Sequence, residues 1–364
     1  MAERTGGDLR IAVLGVGMMG SFHADALATR TKGARVVVVN DFSPDKAAEV
    51  AARVGARVVA DPFEAIADPE VDAVLIATPG AAHAGQVQAC LDAGKPVLCE
   101  KPLTTDEASS YALVQAEAAL ERPLVQLGFM RRFDTEYAAL KDLITAGGLG
   151  NPLLVHCTHR NAVVPDGFNS ESMIRDSVVH EVDVARFLLD EEITSVQVLR
   201  GVASSASPAG TSDPMIVIFE TESGRIVTDE IFVRTGVAYE VRTEVVGETG
   251  SAMIGLDQNL VSTGPDGRRG GQVTPGFVER FGQAYDTELQ RWVAAASRGT
   301  IDGPGVWDGY AAVAVCEAGV KAVQTGEKVP VVLQPKPGAP TGDHSTGAED
   351  EPGITEPDLI ASRP

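Results

Sequence analysis

The chain has 364 residues, 44% of them hydrophobic and 22% charged, a balance that supports a sizeable core in two domains without disulfide bracing. A formal net charge of −21 sets up a field that repels phosphate backbones and anionic headgroups, so neither nucleic acid nor a membrane surface is expected as a partner. Cys90, Cys99, Cys157 and Cys316 show no CxxC and no metal-ligand spacing, and no apolar run reaches the length of a membrane span. The polar stretch Met1 to Asp8 lacks the apolar core of a signal peptide, so the expectation is a soluble, cytoplasmic protein of enzyme size with buried free thiols.

Near-continuous apolar runs at Arg10–Leu14, Arg35–Val39, Ala73–Ile76 and Pro96–Cys99 read as buried parallel strands, with Arg57–Val59 and Leu124–Leu127 as weaker members. Between them the periodicity predicts helices at Ser21–Thr29, Pro44–Val54, Ala82–Ala93 and Thr105–Glu121. Ser43 is placed to cap the second, and Gly94 to stop the third. This alternation predicts a doubly wound Rossmann domain over residues 1–128.

Residues 15–20 (GVGMMG) leave the first strand and open the first helix. Gly15 permits the tight turn, Gly17 lets backbone approach a pyrophosphate, and Gly20 lets helix and strand pack closely. Met18 and Met19 are read first as packing at this loop and are counted with the cofactor-binding set. Asp41 ends the second strand, where a carboxylate accepts from both adenosine ribose hydroxyls and repels a 2′-phosphate. That favours NAD over NADP, although Ser43 and Lys46 stand close enough to offset part of a phosphate charge.

After Gly128 the pattern changes. A helix at Asp134–Thr145 stops at Gly147 and Gly148, and strand-like runs follow at 153–158, 195–199, 215–220, 225–232 and 240–246. One helix, Ser172–Leu189, sits among them, and two more follow at Phe277–Ser297 and Val306–Thr325. Strands without intervening helices predict an open, mostly antiparallel sheet with helices on one face, an α+β domain over residues 129–334. Residues 335–364 carry a net charge of −4 in a Pro-, Gly-, Ser- and Thr-rich context and are expected to be a disordered acidic tail.

Two stretches carry chemistry. Asp176, His180 and Asp183 stand at i, i+4 and i+7 of the predicted helix and so share one face. A histidine titrates near neutrality, and a carboxylate one turn away can orient its ring and stabilise the imidazolium. Lys101 follows a sheet strand at the carboxyl edge, where ligands bind in such folds. Taken singly, the triplet fits a solvated helix face equally well, and Lys101 fits a surface turn.

Together these segments resemble the glucose–fructose oxidoreductase / inositol dehydrogenase (Gfo/Idh/MocA) family over residues 9–334. The most specific matches are residues 99–103 (CEKPL), 126–134 (QLGFMRRFD), 174–183 (IRDSVVHEVD) and 239–248 (YEVRTEVVGE). The second and third of these point to its inositol dehydrogenase branch. The resemblance implies a Lys101–Asp176–His180 triad, with His180 as general base, Asp176 steadying its imidazole and Lys101 stabilising the developing charge on the substrate oxygen. It implies that Met130 and Arg131 line the site and that Asn161, Asp183 and Tyr239 bind ring hydroxyls. Thr78, His83, Glu100 and Lys101 are placed with the cofactor. The implied reaction is NAD-dependent oxidation of myo-inositol to its 2-keto compound, by a homo-oligomer (a tetramer, or a dimer) assembled through the open sheet face.

The substrate-facing segment 159–168 and the stretch 235–239 leave scyllo-inositol, an amino- or deoxy-cyclitol and a pyranose sugar as alternatives. A cofactor-sensing regulator on the same fold is a further alternative, which the presence of Lys101, Asp176 and His180 disfavours. No metal is expected: His156 and His159, three apart on a strand, point to opposite faces.

Overall fold

Six parallel strands form the first sheet in the order β3-β2-β1-β4-β5-β6: β1 (Leu9–Leu14), β2 (Ala34–Asn40), β3 (Arg57–Val58), β4 (Ala73–Ile76), β5 (Val97–Glu100) and β6 (Val125–Gly128). The computed structural model describes residues 7–255, 262–264, 267–269 and 274–338. Helices α1 (Met18–Thr29), α2 (Pro44–Val54), α3 (Pro62–Ala67), α4 (His83–Asp92) and α5 (Glu107–Ala118) connect the strands. Strands β1 and β4 are neighbours although β2 and β3 intervene in sequence. Their carboxyl ends therefore flank the crevice where doubly wound sheets bind dinucleotides. Helix α1 starts three residues earlier than expected, because Gly17 itself occupies its N-cap. Ser43 stands at the N-cap of α2 as expected, but its hydroxyl makes no capping bond.

The second half opens with α6 (Thr135–Thr145), β7 (Pro152–Arg160) and the one-turn α7 (Ser170–Ser172). A π-helical turn over Met173–Val178 then leads into α8 (Val179–Leu189). Strands β8 (Ile193–Arg200), β9 (Met215–Thr221), β10 (Ile226–Phe232), β11 (Glu240–Gly247) and β12 (Ser251–Ile254) follow, with a hairpin of β13 (Ser262–Gly264) and β14 (Gly267–Arg269). Helices α9 (Phe277–Ala296) and α10 (Val306–Thr325) and the edge strand β15 (Val329–Pro330) complete the order. The larger sheet runs β12-β11-β7-β10-β9-β8-β15. Every neighbouring pair in it is antiparallel except β7 and β10, whose long connection through α8 allows a parallel crossover.

Alternation along these strands sends Val155, Val217, Val227 and Val241 inward and leaves Ile216, Ile226 and Met253 on the outer face. One apolar layer draws on both sides of residue 128. Leu289 and Trp292 of α9 join the apolar layer of Ile11, Val13 and Leu27 against the first sheet. Trp292 is fully buried there, so Trp292→Ala would cost about 3–5 kcal/mol. Residues 335–338 also depart from the expected disorder: the Tyr111 hydroxyl donates to the Pro335 carbonyl (2.9 Å), and the Lys336 ammonium lies over the Trp307 ring. The remainder of the acidic tail lies outside the described residues. All four cysteines are buried and free.

Candidate active site

The crevice at the switch between β1 and β4 is made of backbone. Gly15 has φ +79°, and a Cβ there would stand 2.6 Å from the Ala77 carbonyl oxygen, so the loops after β1 and β4 meet main chain to main chain. A Cβ on Gly20 would stand 1.8 Å from the Gly15 carbonyl oxygen, whereas none on Gly17 would meet any atom within 4 Å. The loop is thus closed where helix must pack on strand and open where a pyrophosphate would lie. No side chain caps α1, which leaves its first-turn N–H groups and dipole to an anion. The Asp41 carboxylate accepts from the Val16 amide (2.7 Å) and the Ser43 amide (2.8 Å). It is held in place as an acceptor whose remaining lone pairs suit ribose hydroxyls. These residues fit NAD.

A cleft runs from this loop toward the second sheet. Met18, Met19, Glu100, Lys101, Met130, Asn161, Asp176, His180 and Tyr239 line it, so nine of the residues expected at the site come together from both halves of the chain. Met18 is strongly exposed, so it does not pack the loop, whereas Met19 rests on the core. The half-buried Glu100 accepts a hydrogen bond from His23 Nε2 (2.7 Å). Burial opposes its ionisation, but that bond and the nearby Lys101 keep the carboxyl below its ordinary range. The Asn161 side-chain oxygen is buried with no partner among the described residues.

His180 is 9% exposed, with Phe129 edge-on to its ring at 6.5 Å between centroids. Burial first, then the positive charges of Arg131 and Lys101, hold its imidazole well below the usual histidine range. The ring is therefore neutral at neutral pH and able to accept a proton. The Lys101 ammonium donates to the backbone carbonyl of Asp176 (3.0 Å). The expected carboxylate–imidazole contact between Asp176 and His180 is not formed: among the described residues no hydrogen bond joins them. Asp176 lies on the exposed side of the π turn, whose wider hydrogen-bond spacing replaces the α-helical register on which that expectation stood.

Four further expected residues lie behind the lining. Arg131 is buried and ion-paired with Glu181. Asp183 is buried against Arg132, which donates to it from Nε (3.0 Å) and Nη2 (2.6 Å). Arg132 also donates to Asp308 (2.9 Å). Both carry buried charge, which persists only when paired, so their partners turn them away from a ligand. Thr78 donates its hydroxyl to Gln86 (2.7 Å), and His83 contacts the carbonyls of Thr78 and Pro102. Neither lines the cleft.

Sequence reasoning missed Ser177, Phe277 and Tyr285, which do line it, and it placed His159 only within the substrate-facing segment 159–168, without a role. His159 Nδ1 faces Glu181 Oε2 at 3.0 Å. A ring donating there leaves Nε2 as an acceptor for a hydroxyl. The alternation of β7, which faces His156 outward and His159 inward, was the available sign. No group of three or more His, Cys, Asp or Glu that could hold a metal occurs among the described residues.

This geometry has close parallels. Residues 9–129 match the model of the Gfo/Idh/MocA oxidoreductase family with its NAD-binding Rossmann fold, and residues 141–331 match that family's C-terminal alpha/beta domain. The chain is 64% identical to an inositol 2-dehydrogenase of Rhodococcus erythropolis over 330 residues, covering 89% of this chain and 95% of that protein. It is 57% identical to an inositol 2-dehydrogenase of Rhodococcus jostii, covering 93% and 98%. Among solved structures, the myo-inositol dehydrogenase of Lactobacillus casei in complex with NAD(H) and myo-inositol superposes with a TM-score of 0.88 at 31% identity, covering 91% of this chain and 99% of that one. The chain belongs to the Gfo/Idh/MocA family of NAD-binding oxidoreductases.

Proposed function

We propose that this protein is an NAD-dependent inositol 2-dehydrogenase that oxidises the axial 2-hydroxyl of myo-inositol to the 2-keto compound. The observation that carries this reading is a neutral, buried His180 and the Lys101 ammonium in one cleft beside the glycine loop, in a chain this similar to inositol 2-dehydrogenases. His180 takes the hydroxyl proton, and Lys101 stabilises the charge that develops on the oxygen. Asp176, on the exposed side of the cleft and out of hydrogen-bond contact with His180, accepts a substrate hydroxyl. NAD, when bound in the crevice, supplies the two-electron acceptor. The loop around Gly17, the first turn of α1, Asp41 and Glu100 would hold it.

A cyclitol presents little besides hydroxyls, and the cleft answers with Asn161, Tyr239 and the His159 nitrogen turned away from Glu181. A wrong isomer leaves these buried groups unpaired, which is how stereochemistry is selected. The protein acts as a homo-oligomer, a tetramer, paired through the outer face of the larger sheet, where Leu199, Ile216, Ile226 and Met253 are exposed. Four unpaired buried thiols support a reducing compartment, the cytoplasm.

The test is isotopic. With myo-inositol deuterated at C2, the reduced cofactor should carry the label and the product should be the C2 ketone by NMR. Turnover that leaves the label on the product would remove the assignment of C2.

A further inference from the structure

We propose that His83 is a positioning residue that sets Lys101 against the cofactor crevice by clamping the backbone after β4 to the backbone after β5. The proposal rests on the reading of Lys101 as the group that stabilises the substrate oxygen. His83 opens α4, is 1% exposed and lies outside the cleft lining. Its Nδ1 stands 2.8 Å from the Pro102 carbonyl oxygen, and its Nε2 stands 2.8 Å from the Thr78 carbonyl oxygen. Carbonyl oxygens only accept, so the ring donates to both when both nitrogens carry hydrogen, and a neutral ring keeps one of the two bonds.

The two carbonyls belong to the two loops that matter. Thr78 follows Ala77, whose carbonyl meets the glycine turn at Gly15. Pro102 follows Lys101. Gln86, one turn further along α4, holds the Thr78 hydroxyl (2.7 Å), so one helix end grips this loop by main chain and side chain. The loops are in contact at Gly80, where a Cβ would stand 3.4 Å from Pro102 Cγ.

Lys101 is then fixed at three points. Its amide donates to Glu100 Oε2 (3.2 Å), the carbonyl of the next residue meets His83, and its ammonium donates to the Asp176 carbonyl (3.0 Å). A flexible lysine needs such anchoring, because ordering its side chain is costly and a displacement of about 1 Å at a reacting centre costs about 100-fold in rate.

The experiment is a double-mutant cycle with Lys101 in the full-length enzyme, following myo-inositol-dependent reduction of NAD. His83→Leu should lower kcat about 10- to 100-fold while KM for NAD moves less than about threefold. His83→Gln, whose amide nitrogen carries two donor hydrogens, should recover part of the loss. In a Lys101→Met background, His83→Leu should lower the residual rate less than about twofold, because the group it acts through is gone. Wild-type kcat in His83→Leu, or the same full loss in both backgrounds, overturns the proposal. Should His83→Leu fail to fold, His83→Gln in the two backgrounds carries the same comparison. Wild-type turnover by Lys101→Met alone overturns the Lys101 reading, and His83 with it. That failure is told apart because it shows before His83 is altered.

Discussion

The crevice at the glycine loop and the cleft around His180 are built from different materials. At the crevice the groups that matter are main chain: the turn at Gly15, the open side of Gly17, the uncapped start of α1 and the amides that fix Asp41. At the cleft they are side chains from β5, β7, the π turn, α8 and α9, which meet only in the folded chain. Behind those side chains lies a layer of buried ions, Arg131 with Glu181 and Arg132 with Asp183. A backbone site tolerates most exchanges of neighbouring side chains. A side-chain site on a charged foundation does not, and its electrostatics follow from that foundation.

The sharpest way to break this contrast is to remove the base. His180→Ala should lower kcat about 10²- to 10⁴-fold while NAD still binds, because the crevice owes nothing to this ring. Steady-state kinetics and cofactor titration check both halves, and near wild-type turnover would remove the role of His180. A smaller effect tests the other region. Asp41→Ser should narrow the preference for NAD over NADP by about tenfold, since a repelling carboxylate worth about 1.4 kcal/mol is lost. An unchanged ratio of kcat/KM values for the two cofactors contradicts the ribose assignment. The smallest effect concerns pH. A base whose pKa is lowered stays unprotonated until the pH falls through that lower value. With His180 held well below the usual range by burial, Arg131 and Lys101, kcat/KM for the polyol should stay level as pH falls from about 8 through about 6.5. An acid limb centred at or above about 6.5 would contradict the role of those buried neighbours.

The two regions were also unequally legible. Residues 15–20 and Asp41 are local in sequence, and each has a physical reason to be where it is. Helix α2 and strand β4 are found with the bounds that periodicity predicted. The π turn was not legible, since its altered hydrogen bonding leaves no mark in residue pattern, and the expected Asp176–His180 contact depended on its absence. Arg131 and Asp183 were matched to ligand positions, yet each has a buried partner, Glu181 and Arg132, that sequence spacing does not reveal. His159 was legible as the head of the substrate-facing segment 159–168, but not as a named ligand. Its role depends on Glu181, which reaches it from α8. The short edge strands β12 and β15 fall below the length at which alternation is readable.

The measurement that tests the account most directly is the initial rate of NADH formation with myo-inositol and NAD, set beside scyllo-inositol, glucose and NADP. The account predicts the highest kcat/KM for myo-inositol with NAD. Turnover confined to another polyol would leave the chemistry of His180 and Lys101 in place and contradict the substrate. No turnover of any polyol by protein that binds NAD would contradict the enzyme itself.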